Sequence, residues 1–267
     1  MDITLGVDVS RWNTRIDWKE LRNGGVVFAI AKVSQGTHGR DRLARAHLEG
    51  AQAAGMVTGG YHWCDPNLSE SSQLENFAES VEGLGIDFAA ADVEQYWISW
   101  QEWLDRNIQQ IVRPERISEN ARVLAEGMAK VTGKKVLIYT RATFVHQYAQ
   151  PMLKWMAGWD LWLAHYPYPR GRATLTWTDL LTRHMPRIAG PNLPDGCKSW
   201  KMWQFSGDRF VLPGTGGSPI NLSMFNGTLD DLRAWCGMKP EKGEVGPVSV
   251  EEKVRVLWEA HPELHGS

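Results

Sequence analysis

Three things are scarce in this sequence, and each scarcity closes off a class of protein. Cysteine is the first: 267 residues hold only Cys64, Cys197 and Cys236. Their odd number argues against a disulfide framework, and their spacing fits no metal-binding pattern, although a single bridge stays open. Charge of one sign is the second. With 29 Lys and Arg against 31 Asp and Glu the formal net charge is −2, so no nucleic-acid partner is expected and no general attraction to an anionic membrane. Long hydrophobic runs are the third. No stretch is long enough to cross a bilayer, and Met1-Asp-Ile-Thr4 leads straight into a strand with neither a basic n-region nor an apolar h-region. The expectation is a soluble chain without stable membrane insertion, made in the cytoplasm without a classical export signal. The first strand also lacks a Gly-rich phosphate loop after it, and no internal repeat is visible.

What is plentiful is tryptophan, with 14 residues. Indoles serve cores and interfaces, and they also stack on sugar rings, so the count alone leaves both uses open. Length fits one large domain, or one domain with a small appendage. Apolar stretches predict strands at Ile3–Ser10, Val26–Val33, Val57–Trp63 and Ile86–Glu94, separated by helices at Asp17–Arg22, Arg40–Ala54 and Ser69–Leu84. Further helices are expected at Trp97–Val112 and Ile117–Val131, and at Thr143–Trp159, broken by Pro151. Further strands are expected at Lys135–Thr140, Leu161–Tyr166, Trp200–Ser206 and Pro219–Phe225, before a closing helix at Leu229–Trp235. Residues Pro167–Lys198 read as a long loop with a short helix at Thr178–His184. Lys239–Pro247 reads as a linker, and Val248–Ala260 as an amphipathic helix with Val250, Val254 and Leu257 on one face. This places a main domain at 1–237 and a linker with a helical tail, a candidate docking segment, at 238–267.

Alternating strands and helices argue for a parallel sheet, either closed as a β/α barrel or open and doubly wound. The strands end in residues with chemical potential: Asp8, Lys32, His62, and then Asp92 and Glu94. In a barrel these ends converge on one face. Within a strand, Asp92 and Glu94 would share a face with Cβ atoms roughly 6–7 Å apart. Paired carboxylates at such an end suit acid/base chemistry, most often glycoside hydrolysis.

Eight segments in order carry a family resemblance. They are Gly6-Val-Asp-Val-Ser10, Ile16-Asp-Trp18, Phe28-Ala-Ile-Ala-Lys-Val-Ser-Gln-Gly36, Gly60-Tyr-His-Trp63, Asp92-Val-Glu94, Leu137-Ile-Tyr-Thr140, Leu161-Trp-Leu-Ala-His-Tyr166 and Trp203-Gln-Phe-Ser206. Together they resemble glycoside hydrolase family 25, the lysozymes (N-acetylmuramidases) of phage endolysins and of some bacteria and fungi. The resemblance implies a TIM-barrel-like β/α barrel, an incomplete variant with eight strands and fewer helices. It implies cleavage of the β-1,4 bond between N-acetylmuramic acid and N-acetylglucosamine in bacterial peptidoglycan, at the cell wall, in phage lysis or extracellularly. No cofactor or metal is implied. Glu94 becomes the general acid/base, with Asp92 and Asp8 as supporting carboxylates. Lys32, Tyr61, His62, Trp63, Tyr139, Trp162, Tyr166, Trp203 and Gln204 become candidates for substrate binding. A substrate-assisted route, in which the 2-acetamido oxygen attacks, is preferred over a covalent enzyme intermediate.

Two positions depart from the family pattern. Ile220-Asn-Leu-Ser223 stands where the family shows Val-Asp-Leu-Asn, so Asn221 occupies the place of an active-site Asp. Lys32-Val-Ser-Gln-Gly36 carries Gln35 where Glu is usual. Both remove negative charge near the cleft, and Asn keeps the hydrogen-bonding shape without the charge. These departures motivate one competing function, a catalytically weak peptidoglycan-binding module; a second is a wall-penetrating virion component, with the tail from Lys239 as its docking segment.

Overall fold

The computed structural model describes residues 3–95, 112–167, 173–174 and 190–238. Strands are β1 (Ile3–Val9), β2 (Val26–Gln35), β3 (Gly39–Arg40), β4 (Val57–Trp63), β5 (Phe88–Asp92), β6 (Lys135–Thr140), β7 (Asp160–Ala164), β8 (Ala173–Thr174), β9 (Met202–Val211) and β10 (Ile220–Asn226). Helices are α1 (Trp18–Asn23), α2 (Ala44–Ala53), α3 (Glu70–Val81), α4 (Pro114–Thr132), α5 (Ala142–Tyr148) and α6 (Leu229–Trp235). Eight strands form a closed ring in the order β1, β2, β4, β5, β6, β7, β9, β10. Neighbours from β1 round to β9 run parallel, and β10 is antiparallel to both β9 and β1. Closure decides against the open doubly wound sheet, since β1 pairs with both β2 and β10.

The strand pleat sorts side chains into two packed regions. Phe28, Ile30, Phe88, Ala90, Leu137, Trp162, Met202 and Phe225 point inward and fill the lower barrel. Gly6 and Gly59 make room there: a Cβ on either would lie 2.2–2.4 Å from the rings of Phe28 and Phe88 respectively. Helix α6 closes this end with Leu232 and Trp235, the latter against Phe88 and Phe225. It starts in a capping box, Thr228 and Asp231 satisfying each other's backbone N–H groups. The second region lies outside the barrel wall, where Ala89, Ala91, Ile138, Leu163 and Phe205 pack with Phe77, Leu124 and Met128 of the helices. Helix α4 opens with Pro114 and stops at Gly133, whose φ of 65° suits glycine.

Several boundaries differ from the expected ones. The strand carrying the two carboxylates stops at Asp92, so Glu94 lies two residues beyond it. Helix α2 begins at Ala44 rather than Arg40, because Gly39 and Arg40 pair with Gln35 and Ser34 as a short hairpin. Ser69 caps α3 in backbone only; its hydroxyl meets Ser71 instead. After α5 the chain winds into two 3-10 turns at Gln150–Lys154 and Met156–Gly158, since Pro151 has no N–H to continue an α-helix. Strand β9 runs past Ser206 to Val211 through a shift in its register with β10. The expected helices at Trp97–Val112 and Thr178–His184, and the linker and tail after Met238, lie outside the described residues apart from Val112.

Candidate active site

The polar cluster grows from positions that the register brings level around the barrel mouth. Asp8 lies opposite Asn221, Trp63 beside Asp92, Asp92 beside Tyr139, Tyr139 beside Trp162, and Gln204 opposite Ser223. Asp8 is buried and fully engaged. Its Oδ1 accepts from Gln204 Nε2 at 2.8 Å and Asn221 Nδ2 at 2.9 Å, and its Oδ2 from Ser223 Oγ at 3.1 Å. Tyr139 donates its hydroxyl to Gln204 Oε1 at 2.8 Å, Tyr166 donates to the same oxygen, and Trp162 Nε1 donates to Ser223 Oγ at 3.2 Å. Burial pushes the Asp8 carboxyl up to about 6, although all three donors favour its charged form.

Asp92 and Glu94 sit at different depths. Asp92 is 6% exposed, at the end of β5. Its Oδ1 is buried and has no hydrogen-bond partner among the described residues. Burial, then the nearby Glu94, raise its pKa well above the usual carboxylate range, and Lys32 opposes them. Glu94 stands on the rim, its side chain 23% exposed. Desolvation lifts it to about 7 against the pull of Arg141 and Lys32. Two carboxyls raised together titrate as a unit, and near neutral pH the pair holds a proton.

The loop after β5 is pinned from both sides. Val93 N donates to Tyr139 O at 2.9 Å, and Trp63 Nε1 to Gln95 O at 2.9 Å. Arg141 Nη2 donates to Gln95 Oε1 at 2.7 Å and lies 3.9 Å from Glu94 Oε2. Lys32 donates to Gln35 Oε1 at 2.7 Å, with its ammonium 4.3 Å from the centre of the Trp63 ring. Burial lowers the Lys32 pKa, and Asp92 opposes that most. A cleft of about 660 Å³ opens here, lined by Lys32, Tyr61, Trp63, Asp92 and Glu94 and continuing past Arg11, Trp12 and Asp41.

His62, Trp203 and Trp162, all expected substrate contacts, do not line the cleft. His62 lies between Tyr61 and Trp63, so alternation turns it outward. It is fully buried, bonded to Ser34 Oγ at 2.8 Å and Gln73 Oε1 at 3.3 Å, and burial lowers its pKa to about 4. Trp203 is likewise turned outward by its neighbour Gln204. It stacks on His165, donates to His165 O at 2.9 Å and packs on Trp200 and Phe205. Trp162 does point inward, but at 2% exposure it is the floor beneath Tyr61 and Tyr139. All three cysteines are free, and burial pushes the Cys64 thiol far up, which leaves it inert. Arg141, Gln95, Ser223, Arg11 and Trp12 were not among the expected site residues. Arg141 directly follows the strand end Thr140, the position where a barrel presents its working residues, and that was its available signal.

The sequence matches the family described as glycosyl hydrolases family 25 over residues 7–214. The chain belongs to glycosyl hydrolases family 25. Among relatives of this family 25 protein, YegX of Escherichia coli K12 is 28% identical over 237 residues, spanning 86% of this chain and 72% of its own. Lysozyme M1 of Streptomyces globisporus is 25% identical over 244 residues, spanning 86% and 70%. Among solved structures, the bacterial lysozyme of Streptomyces coelicolor has a TM-score of 0.68 at 21% identity, covering 87% of this chain and 96% of that one. The family 25 glycosyl hydrolase of Bacillus anthracis has a TM-score of 0.65 at 21% identity, covering 87% and 93%. Those two likenesses establish the TIM-like fold. Membership makes the family 25 barrel a glycoside hydrolase of the lysozyme type, directed at cell-wall peptidoglycan.

Proposed function

We propose that this protein cleaves the β-1,4 bond between N-acetylmuramic acid and N-acetylglucosamine by a substrate-assisted route. The observation that carries the proposal is Asp92 Oδ1, a buried carboxylate oxygen without a partner among the described residues, on a residue lining the same cleft as Glu94. A buried acceptor left unpaired is costly, and a bound N–H would satisfy it. The sugar's 2-acetamido group supplies that N–H. Donation to Asp92 favours its ionised form and leaves the pair's proton on Glu94.

The acetamido carbonyl oxygen attacks the anomeric carbon as the glycosidic C–O bond breaks. Glu94 gives its proton to the leaving oxygen, and Asp92 stabilises the positive charge that spreads onto the acetamido group. Water then attacks the same carbon, opens the ring formed with the acetamido oxygen, and returns a proton to Glu94. Asp8, with Gln204 and Asn221, contributes a fixed field from the opposite wall. An Asp at 221 would bring a second carboxylate to within 2.9 Å of Asp8, where one of the two would have to keep a proton. Asn221 supplies the same donor at every pH. Gln35 likewise keeps hold of Lys32. Both departures thus retain their local bonds, which supports an active enzyme over a pure binding module.

The test is digestion of purified peptidoglycan with mass analysis of borohydride-reduced fragments. Reduced muramic acid ends, absent with Glu94→Gln, are expected. Reduced glucosamine ends would reverse the bond assignment, and binding without new ends would favour the binding module.

A further inference from the structure

Away from the two acids, the cleft runs between the loop after β1 and the β2–β3 hairpin, and its lining includes Arg11, Trp12, Gln35, Arg40, Asp41 and Asp65. The charges there are mostly committed. Arg40 bonds Asn76 and Glu79. Asp65 accepts from Asn67 N at 2.9 Å and Asn67 Nδ2 at 3.0 Å. Asp41 accepts from Arg11 N at 2.8 Å and Leu43 N at 2.9 Å. Lys32 is held by Gln35 and Trp63, close to Asp92. The Arg11 guanidinium is different: among the described residues it forms no ion pair, and it lies 5.1 Å from the centre of the Trp12 ring.

This arrangement is fixed from below. Asp41 holds the Arg11 backbone, His47 Nε2 lies 3.2 Å from Ser10 O, and Asn13 bonds Ser10 through both its backbone N and its Oδ1. The loop is therefore anchored at several points, although Trp12 is 77% exposed. A large exposed indole with a guanidinium on its face offers an apolar platform beside a planar pair of donors. That pairing suits a sugar ring bearing a carboxylate better than a neutral sugar.

We propose that Arg11 and Trp12 form a carboxylate-reading subsite on this arm of the cleft, with the ring on Trp12 and the carboxylate on Arg11. The inference rests on the glycan-cleaving reading above. In peptidoglycan a carboxylate can come from the lactyl group of a peptide-free muramic acid or from the stem peptide, and the shared chemistry is what Arg11 recognises.

Three glycans separate the cases: intact peptidoglycan, amidase-trimmed glycan with free lactyl carboxylates, and the same trimmed glycan capped as methyl amides. Each is offered to wild type, Arg11→Gln and Arg11→Lys, with KM and kcat measured separately. Binding of the same glycans is measured in parallel with Glu94→Gln, alone and combined with each Arg11 variant. Arg11→Gln is expected to raise KM and weaken binding about ten-fold on carboxylate-bearing glycan. It should leave kcat unchanged and do nothing on the capped glycan, and Arg11→Lys should recover most of the loss. An effect on trimmed glycan assigns the lactyl carboxylate, and an effect confined to intact peptidoglycan assigns the stem. An equal loss on capped glycan, or no loss on any, overturns the subsite. If wild type cleaves nothing while Glu94→Gln still binds in an Arg11-dependent way, the cleavage reading fails and the subsite stands.

Discussion

At the barrel mouth the two faces of the wall both use histidine or aromatic residues, for opposite tasks. On β4, Tyr61 and Trp63 line the cleft while His62 between them is buried under α3. On β9, Gln204 holds Asp8 and two tyrosines while Trp203 and Phe205 pack beneath the outer layer. For His62 and Trp203 parity decides that each is a packing residue, whereas Trp162 has inward parity and packs because of its depth in the barrel. At the barrel mouth the inner face carries the proposed chemistry and the outer face carries packing, so substitutions one residue apart there should fail in different assays.

The largest effect is expected on the inner face. Glu94→Gln should lower kcat/KM by about 10³-fold, in the range for loss of a general acid, with the melting temperature held or raised because a carboxyl crowded by Asp92 is replaced by a neutral amide. The outer face should do the reverse. Trp203→Ala should destabilise by about 3–5 kcal/mol in urea unfolding, as for other buried aromatics, with kcat/KM of the folded fraction within a few-fold of wild type. His62→Ala should cost about 1–3 kcal/mol, from Ser34 and Gln73 left unpaired, and again spare activity. A collapse of kcat for folded His62→Ala would put the imidazole in the reaction and erase the distinction between faces.

Smaller effects sharpen the inner face itself. In the proposed mechanism Glu94 must be protonated to act, so activity should be full below its pKa and lost as pH rises through about 7. Asp92 must be ionised in the same mechanism, and burial and Glu94 raise its pKa, so activity falls as acid protonates it; the field from Asp8 is present above about 6 and lost as pH falls through that value. The kcat/KM profile should therefore be a narrow bell whose limbs are the two titration steps of the Asp92–Glu94 pair, with Asp8 adding to the acid side. Asn221→Asp should move the acid limb upward and lower activity several-fold near its optimum, because two adjacent carboxylates share a proton. A rise in activity would mean that Asn221 lacks a charge the reaction needs. Arg141→Gln, the mildest change, should move both limbs upward, since the cation that favours ionised Glu94 and ionised Asp92 is gone.

Much of this was legible in the sequence because strand ends are. Strands Val57–Trp63 and Lys135–Thr140 have the bounds their apolar runs suggested, and Asp8, Asp92 and Tyr139 fall at barrel-strand ends, while Lys32 lies three residues before the end of β2. Closure was not legible locally, since the pairing of β1 with β10 joins residues more than two hundred positions apart. Parity misled at His62 and Trp203 because the resemblance was read as contiguous motifs, and in a strand every second residue of a motif faces away. Arg141 and Arg11 escaped notice for another reason: both follow a strand or its last residue, and a lone arginine there has no signature until the fold brings Glu94 or Trp12 beside it. The tryptophan excess also divided by position, with Trp12 and Trp63 at the cleft and Trp162, Trp203 and Trp235 inside packed layers.

The central claim is that Asp92 waits for the acetamido N–H, and one measurement addresses it most directly: kcat/KM on matched glycans with and without N-acetyl groups, for wild type and Asp92→Asn. De-N-acetylated glycan should resist wild type by about 10²-fold or more, and Asp92→Asn should lose a similar factor on acetylated glycan alone. Equal rates on the two glycans would contradict the account and return the nucleophile to the protein.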